Sequence, residues 1–231
     1  MGIGDGTGAG MGGKSRILVF ASGDKEGGGS GFQELVEFTQ TDPPILNAKI
    51  VGVVSNHENG GVRKRADQLH IEFSFLHEPS LSVSYQREME YFGADCAMLS
   101  GWLKLVKGLD PARTISIHPG PLPLTAGLHG SQVHEAVMAA YRRGELTQSA
   151  VTMHFVTAEY DEGPAFFELP VLIRPDDTPE TLAKRVNEKE RAWQAYMLNE
   201  VVHGKIRLSG EAPNYRVWYA KENERFRVEK K

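Results

Sequence analysis

The sequence predicts an α/β fold: a doubly wound, mostly parallel sheet that gains a hairpin-like addition and a long helix in its C-terminal part. Two observations carry this. From Arg16 onward short, continuous apolar runs alternate with amphipathic stretches, the pattern of strands buried on both faces between covering helices. After a proline-rich loop near residue 120 the rhythm changes to two strand-like runs around a tight turn, followed by one extended helical pattern.

Taken in order, Ile17–Ala21 reads as a buried strand and is followed by glycine-rich sequence and a helix over about Phe32 to Thr39. Lys49–Val54 is a second strand, with a Gly-Gly turn and a helix to about Leu69 behind it. Ile71–Leu76 reads as a short third strand, Ser84–Tyr91 as a helix, Cys96–Leu99 as a fourth strand and Thr114–His118 as a fifth. Val133, Ala136, Val137 and Ala140 mark one helical face. Ala150–Val156 and Ala165–Leu172 are strands flanking Asp161-Glu162-Gly163-Pro164. Thr178 followed by Pro179 is an N-cap with a first-turn proline, opening a helix with Leu182, Val186, Trp193 and Met197 on one stripe and ending near His203-Gly204. Lys205–Leu208 is a further strand, and the charged end carries no clear element. The expected organisation is a disordered tail over 1–14, a single folded unit over 15–210 and an extension over 211–231.

Composition narrows the function. Among 231 residues, 26 Lys and Arg stand against 30 Asp and Glu, a net charge of −4 that favours a small-molecule site over nucleic acid or an anionic membrane. Cys96 is the only cysteine, so no internal disulfide forms and a cysteine-based zinc site is disfavoured. No apolar run reaches a membrane span and the N-terminus lacks a signal-peptide pattern, so a cytoplasmic protein is expected, monomer or homodimer. The opening thirteen residues hold seven glycines, too little burial to offset backbone entropy. Gly8-x-x-x-x-Gly13-Lys14-Ser15 spells a P-loop, but that loop must follow a strand and open a helix, and here a strand comes after it.

Four features carry chemistry. The Gly23–Gly31 stretch lies between the first strand and the first helix, where small residues and the Ser30 hydroxyl let an anion approach a helix N-terminus. It does not match the dinucleotide fingerprint, which favours a phosphate monoester. His118 closes the fifth strand, where open α/β sheets bind ligands, and Pro119, Pro121 and Pro123 stiffen its exit. An imidazole there can give and take a proton near neutrality. Asp161 is a turn carboxylate that tunes an imidazole if the fold brings it near, and otherwise only shapes the turn. Glu190 falls on the inward stripe of the long helix, where it either binds something or sits half exposed at a rim. His129 and His134 do not share a helix face and no third ligand presents itself, so no metal site is expected.

Several motifs together resemble the phosphoribosylglycinamide formyltransferases, within the wider family of folate-dependent formyltransferases. They are Ser22-Gly23, Gly29-Ser30-Gly31-Phe32-Gln33, Val54-Ser55-Asn56, the run Leu99 to Val106, Ile117-His118-Pro119, Leu122-Pro123, Gly127-Leu128-His129, Met153 to Thr157 and Asp161 to Pro164. The resemblance spans about residues 16–208. It implies a Rossmann-like formyltransferase fold and transfer of a formyl group from 10-formyltetrahydrofolate to the amine of glycinamide ribonucleotide. It further implies that Gly29, Ser30 and Gly31 hold the substrate phosphate and that Glu190 contacts the ribonucleotide. Leu103, Lys104, Leu105 and Val106, with Ala158, Glu159 and Tyr160, would line the folate pocket. His118 would move the proton and Asp161 would pair with it. A hydrolase or sugar-nucleotide transferase of the same fold, or a non-catalytic folate or nucleotide binder, remains as the alternative.

The chain also departs from the family pattern. The family pattern is Asn-x-His-Pro, whose amide donates to the developing oxyanion; here that position is Ser116, with a shorter side chain and one donor. The segment Asp24 to Gly28 is an insert before the phosphate glycines. No arginine near Ser82 takes the place of one the family uses on the pterin side.

Overall fold

A computed structural model describes residues 13–228, so the glycine run up to Gly12, and Gly8 of the P-loop spelling, lie outside the described residues. Five strands, β1 (Arg16–Phe20), β2 (Lys49–Ser55), β3 (Phe73–Phe75), β4 (Cys96–Ser100) and β5 (Thr114–His118), run parallel. Two more, β6 (Gln148–Phe155) and β7 (Ala165–Leu172), add antiparallel, giving one sheet in the order β3-β2-β1-β4-β5-β6-β7. The predicted hairpin-like addition is therefore the β6–β7 pair.

The continuous apolar runs arise because both faces are covered. Along β1, Ile17 and Val19 enter one core with Val53, Met98 and Ile115, while Leu18 and Phe20 enter the other with Val54, Leu99 and Tyr85. The first core is closed by α1 (Ser30–Thr39), α2 (Gly61–Leu69), α4 (Ser131–Arg142) and α5 (Pro179–Val202), the second by α3 (Ser82–Phe92). The α5 N-terminus has the predicted device: Pro179 in the first turn, with Thr178 and Thr181 exchanging amide-to-hydroxyl bonds of 2.9 and 3.3 Å. Along its stripe Leu182, Val186 and Met197 are fully buried, and Trp193 stacks on Phe167.

Beyond α5, β8 (Ile206–Ser209) pairs with β9 (Arg216–Tyr219) as a separate two-stranded ribbon. This hairpin straddles residue 211, so the extension expected over 211–231 shares a structural element with the preceding segment. Its anchor is a buried group: Asn223 Nδ2 donates to Glu200 Oε2 of α5 at 2.7 Å, and Lys205 Nζ lies 3.4 Å from the same oxygen. No helix among the described residues is long and apolar enough to cross a membrane.

Strand order reverses between β1 and β4, so the chain leaving β1 and the chain leaving β4 diverge at their carboxyl ends. In an open α/β sheet this divergence makes a crevice.

Candidate active site

A cavity of about 360 Å³ fills that crevice. Its floor is Ser116, Ile117 and His118 of β5; one wall is Gly28 to Gly31, the other Gly101 to Leu103, and α5 supplies Asn187, Glu190, Arg191 and Gln194. Ser22 ties the first two walls together, its amide donating to Gly101 O at 3.0 Å and its hydroxyl accepting from the Leu103 amide at 2.9 Å.

The insert after β1 does not spread the loop. Asp24 Oδ1 accepts the Glu26 and Gly27 amides at 2.8 and 2.6 Å, and its own amide donates to Gly27 O, folding Asp24 to Gly27 into a closed turn. These backbone bonds hold the Asp24 carboxyl below its usual range. The chain then passes through Gly28 and Gly29 at φ +90° and +77°, which only glycine adopts freely, and enters α1 at Ser30. No side chain caps α1 at Gly29, leaving its first amides to meet an anion. Gln194 Nε2 donates to Gly31 O at 2.8 Å and Gln194 Oε1 accepts from Ser100 Oγ at 3.0 Å, clamping the loop to β4 and α5. Arg65 Nε donates to Gly28 O at 2.8 Å from the other side.

His118 is buried at the end of β5 and braced from both sides. Nε2 lies 2.8 Å from Thr125 Oγ1, whose own proton goes to Pro121 O at 3.0 Å. The hydroxyl therefore accepts from Nε2–H, and the neutral ring keeps its lone pair on Nδ1. Nδ1 faces Asp161 Oδ2 at 3.7 Å. Burial pushes the His118 imidazole down to about 4, against the opposing pull of the Asp161 carboxylate, so at neutral pH the ring is an uncharged base.

Asp161 reaches this position in a left-handed backbone conformation, φ +56°, which Asp tolerates better than most residues. Its turn is packed against β6 so closely that a Cβ on Gly163 would collide with Phe155 O. The carboxylate accepts the Gly127 amide at 3.0 Å, and its second oxygen is 3.5 Å from Nε2 of the buried His154. Burial alone would raise the Asp161 carboxyl; the contacts with His154, the Gly127 amide and His118 outweigh it and hold the group below its ordinary value. His154 Nδ1 lies 3.1 Å from Phe155 O, which orients its ring toward Asp161.

The structure brings His118, Asp161 and Ser116 together with Gly29, Ser30, Gly31 and Glu190 around one cleft. Glu190 is half-buried by surface area, yet surrounded densely enough that desolvation raises its carboxyl to about 7. The residues expected on the folate side divide. Leu103 and Tyr160 line the cleft, whereas Lys104, Leu105, Val106, Glu159 and Tyr160 surround an adjoining space of about 30 Å³ that touches Ser116, His154 and Asp161. Ala158 faces a third, larger cavity beyond. Among the described residues no cluster of three His, Cys, Asp or Glu side chains is arranged for a metal ion.

Four site residues are given no role in the sequence reading. Thr125 and Gly127 lie in the proline-rich loop and act through contacts no local pattern reveals. Gln194 follows Glu190 by four on the same helix face, a spacing that signals a shared wall. Arg191 is the one Lys or Arg among the residues lining the cleft, and its Nε lies 3.4 Å from Glu34 of α1.

Residues 15–198 match the family described as Formyl transferase, which covers most of the chain. The chain belongs to this formyl transferase family. Among curated proteins it is similar to the chloroplastic phosphoribosylglycinamide formyltransferase of Arabidopsis thaliana, 30% identical over 84% of this chain and 68% of that one. It is also 29% identical to the trifunctional purine biosynthetic protein adenosine-3 of Bos taurus, where the match covers 84% of this chain but only 19% of that protein. Among solved structures, the phosphoribosylglycinamide formyltransferase of Coxiella burnetii superposes with a TM-score of 0.74 at 26% identity, covering 89% of this formyl transferase and 93% of that chain. The match ends near the α5 C-terminus, so β8 and β9 lie outside the family segment.

Proposed function

We propose that this formyl transferase moves a formyl group from 10-formyltetrahydrofolate to the amine of glycinamide ribonucleotide. The observation that carries the reading is that one cleft joins an anion-accepting helix N-terminus to a buried neutral imidazole backed by a carboxylate. In this reading the Ser30 and Gly31 amides and the Arg191 guanidinium take the substrate phosphate, and Glu190 takes the sugar or glycinamide end. The amine then lies beside His118.

The amine nitrogen forms a bond to the formyl carbon, whose oxygen becomes an oxyanion. The amine proton passes to His118 Nδ1, and the resulting imidazolium is stabilised by Asp161. Collapse breaks the bond between the formyl carbon and the folate nitrogen, which leaves with a proton returned by the imidazolium. Ser116 Oγ, on the same strand face as His118, is the donor offered to the oxyanion. The position of Asp161, held by Gly127 and His154, supports a carboxylate that stays charged while the imidazole changes state.

An acceptor panel tests this: glycinamide ribonucleotide, its dephosphorylated nucleoside and an amino-sugar nucleotide, each with 10-formyltetrahydrofolate. Glycinamide ribonucleotide is expected to give the highest kcat/KM, with the nucleoside much poorer through KM. Preference for the amino-sugar nucleotide would overturn the assignment.

A further inference from the structure

The largest cavity among those bordering the described site lies beside the cleft. It measures about 680 Å³, within the ~300–1,000 Å³ of small-molecule pockets. Its inner wall is Thr114, Val156 and Val106, with Ala158 and Glu159 above; its outer wall is Pro213 and Tyr215 from the turn joining β8 to β9. Val106, Val156 and Glu159 also line the 30 Å³ space that touches Asp161 and Ser116, so the large cavity is separated from that space only by these side chains.

Volume assigns its occupant. The acceptor, under the function proposed above, takes the 360 Å³ cleft, and the 30 Å³ space has room for only a water or two. A folate donor must nonetheless place a flat bicyclic ring next to the formyl group. The apolar walls of the 680 Å³ cavity suit the faces of such a ring, and the Glu159 carboxylate and adjacent backbone suit its polar edge. The outer wall is held in place. Ser209 Oγ donates to Arg216 O at 3.1 Å, the Asn214 amide donates to Glu211 O at 2.7 Å, and Tyr215 is half-buried.

We propose that the β8–β9 turn, through Tyr215 and Pro213, forms the outer wall of the pocket that receives the pterin ring of the donor. Residues beyond the family segment thus set donor affinity, and the reading rests on the folate donor proposed above. Trp218 provides the control. It sits on the same ribbon, stacks on Arg207 at 4.1 Å, is exposed, and does not line the cavity.

The test is titration calorimetry with tetrahydrofolate, together with steady-state kinetics, on the parent protein, Tyr215→Ala, Ala212→Trp and Trp218→Ala. Tyr215→Ala should weaken tetrahydrofolate binding and raise the donor KM about tenfold, the worth of one aromatic contact, with acceptor KM and kcat within twofold. Ala212→Trp, which fills the cavity, should weaken binding at least as much, and Trp218→Ala should leave both constants unchanged. Unaltered tetrahydrofolate binding in Tyr215→Ala and Ala212→Trp overturns the proposal while leaving the transferase function standing. An equal loss in Trp218→Ala overturns it by making the ribbon a scaffold only. Absence of tetrahydrofolate binding by the parent protein overturns the donor assignment itself.

Discussion

Replacing Asp161 by Asn isolates the charge beside the His118 imidazole, the proton carrier in the proposed function. The carboxylate lies 3.7 Å from His118 Nδ1 and 3.5 Å from His154 Nε2. Two unit charges near 4 Å attract by about 4 kcal/mol at an effective dielectric of ~20, an upper limit on what the imidazolium loses when the charge is removed. Asn retains an oxygen for the Gly127 amide, so the turn should hold. Its amide also donates toward the Nδ1 lone pair and occupies the site meant for the substrate proton. The expected result is a fall in kcat of roughly a hundredfold to a thousandfold, the kinetic equivalent of about 3–4 kcal/mol. Donor and acceptor affinities should stay within several-fold. Because the negative charge raises the His118 pKa, its loss should also shift the acid limb of the rate profile to lower pH. Single-turnover measurements from pH 4 to 9 report both quantities. A kcat within threefold of the parent and an unmoved acid limb would reduce Asp161 to a turn residue and refute the proton-transfer scheme.

The remaining predictions concern three other groups. Ser116→Asn restores the longer donor and should raise kcat, with Ser116→Ala lowering it only slightly, if the hydroxyl reaches the oxyanion poorly; a severe loss in Ser116→Ala with a dead Asn variant would show the hydroxyl is the working donor. Arg191→Ala should raise the acceptor KM by about tenfold to a hundredfold, the worth of one charge-assisted contact, and have no effect on a dephosphorylated acceptor. Equal losses with both acceptors would remove Arg191 from the phosphate site. His118, held near 4 in the fold against about 6.5 unfolded, contributes stability that is complete above pH ~6.5 and drains away as pH falls toward 4, about 3 kcal/mol in all. Urea midpoints at pH 7.5 and 4.5 should therefore move less in His118→Asn than in the parent; identical shifts would contradict the buried neutral state.

Strand β1, the glycine entry to α1, β5 ending in His118 and the capped start of α5 are all legible in the sequence, because each is fixed by local pattern: continuous apolar runs, small residues before a helix, Thr178-Pro179. β3 is shorter than its apolar run, Phe73–Phe75 within the expected 71–76, and pairs only with the last three residues of β2. β9 is not foreseen. Arg216–Tyr219 is four residues long and follows charged and proline-containing sequence, and its partner is the equally short β8. At the site, the residues singled out in the sequence come together around one cleft, whereas the groups that hold them in place are not legible. Glu190 is half-buried and lines the cleft, and its contact with a ligand stays part of the proposal. Thr125 fixes the His118 tautomer across seven residues of loop, and His154, at the end of β6, reaches Asp161 across the turn between β6 and β7. Such contacts depend on where loops land, which no periodicity encodes.

The role proposed for His118, backed by Asp161, is to move a proton during formyl transfer to a phosphorylated amine. It is tested most directly by incubating the purified protein with 10-formyltetrahydrofolate and glycinamide ribonucleotide and identifying products by mass spectrometry, for the parent and for His118→Ala. The account predicts formylated glycinamide ribonucleotide and tetrahydrofolate in equal amounts from the parent, with a rate lower by about a hundredfold or more in His118→Ala while both ligands still bind. Free formate released at the same rate with or without the amine, or undiminished transfer by His118→Ala, would contradict it.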